Sequence, residues 1–201
     1  ISSISFVGST QVAKYIYERS AKNGKRVQAL GGAKNHLVVM PDANLDQAVD
    51  GVIGAGFGSA GERCMAISVA VADGDIADKI VDKIHLESQK LKVAPWTDKD
   101  SDMGPVISKD HKEKIENYIS LGVKEGAKLV EDGRNYKIQG YENGYYVGPT
   151  LFDNVTKDMT IYKEEIFGPV VSVVRVNNYD EAINLVNSHR YGNGTSIYTS
   201  D

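Results

Sequence analysis

Short apolar runs recur along this chain and are separated by polar or amphipathic stretches, which predicts strands that alternate with helices. The apolar runs are rich in Val, Ile and Leu, and turn-forming Gly, Asn, Asp or Pro residues follow several of them. They lie at residues 4–7, 25–30, 37–40, 67–72, 127–131, 145–152, 170–176 and 195–199. Pro149 interrupts one run and predicts an edge or irregular strand there. The β-branched run 170–176 predicts a central strand.

Between these runs, apolar residues recur every three or four positions, as they do on one face of a helix. The predicted helices lie at residues 12–19, 45–57, 76–90, 109–125 and 179–188. The second of them is rich in Gly, Ala and Val, which predicts a tightly packed, mostly buried helix. Alternation of strands and helices predicts an α/β fold with a mainly parallel sheet and helices on both faces.

Composition and charge narrow the function classes. The net charge of −4 gives no electrostatic argument for binding nucleic acid or an anionic membrane. A single cysteine excludes an intramolecular disulfide and is typical of a reducing compartment, so we expect a cytoplasmic protein, or a mitochondrial matrix protein in a eukaryote. Because the chain starts and stops within strand-like runs, we expect it to be a fragment of a longer protein.

The first candidate for chemistry is that cysteine, Cys64, between the helix 45–57 and the strand 67–72. Gly58 and Gly61 allow a sharp turn just before it. Arg63 places a permanent positive charge next to the sulfur, and a neighbouring cation favours the nucleophilic thiolate. The functional interpretation is covalent catalysis through Cys64. The alternative is a small buried cysteine with no chemical role.

A second candidate is the turn at Gly8, Ser9 and Thr10, between a strand and a helix. The free N–H groups at such a helix start can bind a phosphate group. The alternative is that Ser9 is an ordinary N-terminal cap of the helix. Taken by itself, this pattern favours the cap.

Four stretches, in this order and spacing, together resemble the NAD(P)-dependent aldehyde dehydrogenases: residues 6–10, 30–32, 61–64 and 164–169. Residues 42–46 and 146–150 are also similar to that family, so the resemblance covers essentially the whole chain. It implies that residues 1–31 end the dinucleotide-binding domain and that residues 32–201 form the catalytic domain, truncated at its C-terminus. It further implies a homodimer or homotetramer, and an isolated chain without dehydrogenase activity.

The resemblance also implies roles for single residues. Cys64 matches the nucleophile, which forms a thioester after hydride transfer to NAD, and its backbone N–H matches part of the oxyanion hole. The residues that match cofactor contacts are Gly8, Ser9, Leu30, Gly31, Glu165 and Phe167. Ser9 corresponds to a position near the pyrophosphate, and Glu165 to the carboxylate that holds the nicotinamide ribose. Ala13 replaces a glycine that the family usually carries. No metal is implied.

Within the family, residues 28–36 and 56–66 resemble the methylmalonate-semialdehyde dehydrogenases, which act on malonate and methylmalonate semialdehydes. Most hydrolytic members carry Glu, the base that activates water, at the position of Ala29. A methyl group cannot take a proton, whereas a thiol such as coenzyme A is itself a strong nucleophile. The resemblance therefore implies acyl transfer to coenzyme A with loss of carbon dioxide, giving acetyl-CoA or propionyl-CoA.

Three alternatives stay open at this point. In the first, Ala29 is only a packing residue, and Glu165 or another group is the base of a hydrolytic enzyme that gives a free acid. In the second, the protein is a non-catalytic binding protein that uses the same fold. Arg63 either holds the carboxylate of the substrate through paired hydrogen bonds or is a structural residue that pairs with Glu62.

Overall fold

The structure, a computed structural model, describes residues 1–201, which separate into two units, Ile1–Ala33 and Lys34–Asp201. In the first unit, strands β1 (Ser3–Val7) and β2 (Arg26–Leu30) pair in parallel, and helix α1 (Thr10–Lys22) connects them. The Gly8 N–H donates to the Leu30 carbonyl at 3.1 Å. The turns after both strands therefore lie side by side at the carboxyl ends of the pair.

The second unit is built on one six-stranded sheet. Its elements in chain order are β3 (Asn35–Val39), α2 (Leu45–Phe57), β4 (Ile67–Asp73), α3 (Ala77–Ser88), α4 (Lys109–Lys124), β5 (Lys128–Glu131), β6 (Thr150–Asp153), α5 (Thr160–Lys163), β7 (Val170–Val176), α6 (Tyr179–Ser188) and β8 (Thr195–Tyr198). The strands lie in the order β5-β6-β7-β4-β3-β8, and only the β5–β6 pair is antiparallel. The predicted α/β fold with a mainly parallel sheet is confirmed.

The core lies along β3, β4 and β7 in the middle of the sheet. Every residue of β3 is buried, and the first five residues of β7 are buried as well. Successive side chains of a strand point to opposite faces, so both faces of the sheet are covered. Helix α2 adds Val49, Val52 and Phe57 to this core. Each such side chain contributes about 1.5–3 kcal/mol when it leaves water.

Local signals fix where α2 begins and ends. The side chain of Asn44 accepts hydrogen bonds from the N–H groups of Asp46 and Gln47 at 3.1 and 3.2 Å, which caps the first turn. The helix ends at Phe57, directly before the turn that carries Cys64. The longest helix, α4, has 16 residues, and no helix is both long and apolar enough to cross a bilayer.

The predicted strand 145–152 differs from the structure. Strand β6 begins only at Thr150, after Pro149, and it lies between β5 and β7 rather than at an edge. Strand β5 lies at this edge of the sheet and pairs only with β6. Because Pro149 precedes β6, its missing N–H removes no hydrogen bond between strands. The short helix α5 has no counterpart among the predicted elements.

Candidate active site

The turn that carries Cys64, residues 58–66, has an unusual backbone. Ser59, Ala60 and Gly61 all have left-handed conformations, with φ of 52°, 53° and 68°. Such φ values are costly for residues other than glycine and occur often at functional sites. A hydrogen bond of 3.0 Å from the Ala66 N–H to the Arg63 carbonyl closes the end of the turn. Cys64 is exposed there, so the alternative of a buried cysteine does not hold for this chain.

The backbone after Cys64 is held by two amide side chains from distant parts of the sequence. Asn35 Nδ2 donates to the Cys64 carbonyl at 2.9 Å and to the Ala66 carbonyl at 2.8 Å. Asn193 Nδ2 donates to the same Cys64 carbonyl at 2.8 Å. The Oδ1 atom of Asn35 accepts from the Gly194 N–H at 2.9 Å, which ties that loop to the same amide. Asn35 is only 2% exposed.

Arg63 and Glu62 have separate partners. Arg63 is exposed, and its Nε donates to the Ser59 hydroxyl at 2.9 Å. Glu62 accepts from the Ile107 N–H at 3.2 Å and lies 3.3 Å from His111 Nε2. Burial raises the pKa of Glu62, although both of these partners oppose the rise. The alternative in which Arg63 pairs with Glu62 is therefore wrong.

The segment that carries Phe167 is joined to this turn through His111. The His111 Nε2–H donates to the Phe167 carbonyl at 2.6 Å, and the same nitrogen faces Glu62. Phe167 has a φ of 60°, a strained value for an aromatic residue, and is half-buried. Contacts on both sides are needed to keep such a residue in place, and His111 supplies one of them.

Lys34 lies inside the protein beside the same segment. Its side chain is 2% exposed, and its Nζ donates to the carbonyls of Ile161 and Glu164 at 2.7 and 2.8 Å. Burial lowers the pKa of Lys34 to about 7, while the carboxylates of Glu165 and Glu164 oppose the change. Lys34 therefore fixes the peptide group that leads directly into Glu165.

Next to Lys34, the His36 ring is buried among aromatic side chains. His36 Nε2 lies 3.1 Å from the Tyr162 hydroxyl, and its ring centroid is 5.5 Å from that of His189. Burial, together with the neighbouring His189 and Lys34, lowers the pKa of His36 to about 4. His36 is therefore neutral at pH 7.

This lowered pKa predicts a loss of stability in acid. Between pH 6.5 and about 4, the unfolded chain takes up a proton at His36 that the folded chain does not. The stabilising contribution is thus complete above pH 6.5 and is lost as the pH falls through this range, by up to about 3 kcal/mol at 1.36 kcal/mol per pKa unit. The free energy of unfolding in urea, measured for the wild type and His36→Gln at pH 7 and pH 4.5, checks this prediction. The difference in this free energy between the two proteins should be smaller at pH 4.5, and an equal difference at both pH values would contradict the prediction. His85→Gln, on the partly exposed face of α3, is the matched control.

The remaining predicted residues gather in the first unit. The Gly32 N–H donates to the Thr10 hydroxyl at 3.0 Å, and a Cβ on Gly31 would lie 3.1 Å from that hydroxyl oxygen. Ser9 is exposed at the start of α1, and its side chain makes no capping hydrogen bond. Ser9 thus occupies the N-cap position, as the cap interpretation predicts, and its backbone carbonyl accepts from the Ala13 N–H at 2.9 Å, but its hydroxyl bonds to no N–H group of the first turn. Leu30 is 49% exposed beside these residues.

The structure thus brings the sequence-predicted residues together in two groups, one in each unit. Gly8, Ser9, Leu30 and Gly31 lie at the carboxyl ends of β1 and β2, and Ala29 is half-buried in β2. Arg63, Cys64, Glu165 and Phe167 lie in the second unit. No cluster of three or more His, Cys, Asp or Glu side chains could hold a metal ion.

The fold and this site define an α/β protein with an accessible thiol on a strained turn, whose backbone is anchored by the buried amide of Asn35 and the exposed amide of Asn193. The aldehyde dehydrogenase family model matches residues 1–201, and the chain belongs to this family. The resemblance predicted from the sequence is therefore confirmed.

Individual relatives agree with the family. A malonate-semialdehyde dehydrogenase of Pseudomonas aeruginosa is 56% identical over 202 residues, which is 100% of this chain and 41% of that protein. The structure of a candidate methylmalonate-semialdehyde dehydrogenase of Sinorhizobium meliloti 1021, complexed with NAD, is 57% identical with a TM-score of 0.98. A methylmalonate-semialdehyde dehydrogenase of Oceanimonas doudoroffii is 55% identical with the same TM-score of 0.98. Both structures match 100% of this chain, and the match covers 41% of the chain in each of those structures.

Proposed function

We propose that this chain is the nucleophile-bearing part of an NAD-dependent dehydrogenase that oxidises malonate or methylmalonate semialdehyde. The observation that carries the proposal is the exposed Cys64 on a left-handed turn whose backbone is held by Asn35 and Asn193. The names of the relatives support the substrate, and the Sinorhizobium meliloti structure with NAD supports the cofactor.

Several features fit NAD. Ser9 presents a hydroxyl without a capping bond at the start of α1, and Gly31 packs closely on Thr10, where a Cβ would lie 3.2 Å from the Thr10 Cα. Gly8 and Ser9 would hold the pyrophosphate, with Leu30 and Gly31 beside the dinucleotide. Glu165 would hold the nicotinamide ribose, and Phe167 would lie against the same region. When bound, NAD accepts the hydride.

Cys64 performs the covalent step. Its thiolate attacks the aldehyde carbon, a carbon–sulfur bond forms, and the carbonyl electrons move to oxygen to give a thiohemiacetal. The Cys64 backbone N–H donates to that oxyanion, and the anchored turn keeps this N–H in a fixed direction. Loss of the hydride restores the carbonyl group, now as a thioester on Cys64.

Arg63 is proposed to hold the carboxylate of the semialdehyde. It is exposed and adjacent to the nucleophile. It forms no ion pair with Glu62, whose partners are Ile107 and His111. A guanidinium can hold a carboxylate through two parallel hydrogen bonds.

The thioester is proposed to pass to coenzyme A with loss of carbon dioxide. Ala29 offers no base for water at the position where hydrolytic members of the family carry Glu, and coenzyme A brings its own strong nucleophile. The products are acetyl-CoA from malonate semialdehyde and propionyl-CoA from methylmalonate semialdehyde. The whole protein is further proposed to be a cytoplasmic homodimer or homotetramer.

The test uses the whole protein. NADH formation from methylmalonate semialdehyde is followed with and without coenzyme A, and the product is identified. We expect coenzyme A to raise the rate and propionyl-CoA to appear. Ala29→Glu restores a carboxylate and should raise coenzyme A-independent acid formation about 100-fold, the lower range of general-base catalysis. A wild-type rate that ignores coenzyme A, with free acid as product, would favour the hydrolytic alternative, with Glu165 as the first base to examine.

A further inference from the structure

We propose that Lys34 and Asn35, the β3 clamp, are positioning residues that fix two different parts of the active site from one end of β3. Asn35 holds the turn of Cys64, and Lys34 holds the segment that carries Glu165 and Phe167. The proposal deepens the proposed function, on which the roles of Cys64 and Glu165 rest. Sequence patterns assigned neither residue a task.

The Asn35 amide uses both of its ends. Nδ2 donates to the Cys64 and Ala66 carbonyls, and Oδ1 accepts from the Gly194 N–H, all at 2.8–2.9 Å. The β3–β4 register shifts between Asn35 and His36, so the regular ladder is interrupted where the turn joins β4. The amide therefore satisfies two carbonyls at this irregularity. A buried amide with three partners has one orientation, and it fixes the peptide groups that follow Cys64 and Ala66.

Lys34 performs the same task on the other segment. The carbonyls that it binds belong to Ile161, within α5, and to Glu164, immediately after it. Carbonyls at the end of a helix lack partners in the helix itself, and a cationic side chain is suited to them. The Glu164 carbonyl belongs to the peptide bond that leads to Glu165. Holding it fixes the direction in which the chain enters the strained residue Phe167.

The two ties are adjacent in sequence but serve separate segments. Lys34 directly precedes β3 and Asn35 is its first residue; the side chain of Lys34 reaches α5, whereas that of Asn35 reaches the turn of Cys64. Loss of one tie should therefore loosen one segment and leave the other in place. A general defect in folding would loosen both.

Hydrogen exchange of the whole protein tests this separation directly. Asn35→Leu keeps the size of the side chain and removes all three hydrogen bonds, and it should speed exchange at least fivefold within residues 58–66 and less than twofold within residues 161–168. Lys34→Met should give the reverse pattern. The matched surface controls, Asn117→Leu on α4 and Lys79→Met on α3, should change neither segment. Should Lys34→Met fail to fold, Lys34→Gln retains one donor group and should speed exchange within residues 161–168 by an intermediate factor.

Steady-state kinetics provide the second readout. Asn35→Leu should lower kcat at least tenfold with a KM for NAD within twofold of the wild type. Lys34→Met should raise the KM for NAD at least fivefold with kcat within threefold. Variants that loosen both segments, or neither, would overturn the clamp. The exchange patterns require no substrate, so an enzyme that is inactive on every semialdehyde would refute the proposed function while the clamp was still tested.

Discussion

Replacement of Cys64 by serine in the whole protein is expected to lower the rate of NADH formation by about 10⁴-fold or more. A hydroxyl has a far higher pKa than a thiol and needs a base to become a nucleophile. Arg63 beside it favours an anion but cannot accept a proton. The loss of a covalent nucleophile costs several orders of magnitude in kcat in enzymes of this kind. The absorbance of NADH during turnover of methylmalonate semialdehyde measures the effect.

Cofactor binding should survive this substitution, because none of the residues proposed to contact NAD changes. The Kd of NAD, measured by protein fluorescence, is expected to stay within twofold of the wild type. Cys64→Ala serves as the matched control and should show the same residual rate as the serine variant. If Cys64→Ser kept more than about one hundredth of the activity, covalent catalysis through this residue would be excluded.

Replacement of Gly61 by alanine should have the second largest effect, on stability and on activity together. An added Cβ would lie 2.1 Å from the Gly168 carbonyl oxygen and 2.5 Å from its carbon, both of which are backbone atoms. The φ of 68° at Gly61 adds about 1–2 kcal/mol for any residue with a Cβ. Together with the steric overlap, we expect the free energy of unfolding to fall by about 3 kcal/mol or more.

Chemical denaturation of the wild type and Gly61→Ala measures this effect. Gly54→Ala is the matched control, because Gly54 lies in α2 and a Cβ there would meet nothing within 4 Å. That variant should be as stable as the wild type or up to about 1 kcal/mol more stable. Equal stability of the two alanine variants would show that the contact between Gly61 and Gly168 relaxes without cost.

Helix boundaries were predictable where short-range signals set them. Helices α2 and α6 have the bounds that the sequence predicts, and each begins after an Asn whose side chain caps the first turn, Asn44 and Asn178. The place of β6 was not predictable, because the spatial order of strands depends on pairing between distant segments. Pro149 indicated an irregular backbone correctly and an edge position wrongly.

In the candidate site too, features set by neighbouring residues were predictable from the sequence, and contacts between distant residues were not. Cys64 and its glycine-rich turn were predictable because neighbouring residues define them. The anchors of that turn were not, since 29 residues separate Asn35 from Cys64, and 159 separate it from Gly194. His111 and Phe167 are likewise 56 residues apart. One signal was available for Asn35: an amide just before the apolar run 37–40 needs hydrogen-bond partners if it is buried.

The position of β8 has a consequence for how the chain is made. Strand β3 pairs with β8, so one edge of β3 has no partner until Thr195–Tyr198 leave the ribosome. An unpaired apolar edge is prone to aggregate during synthesis. The bonds from Asn193 and Gly194 that complete the turn of Cys64 form at the same late stage. The turn that carries Cys64 therefore acquires its native setting only after Asn193 and Gly194 have been translated, and a nascent chain that stalls earlier exposes an unpaired apolar strand edge and a turn without these hydrogen bonds.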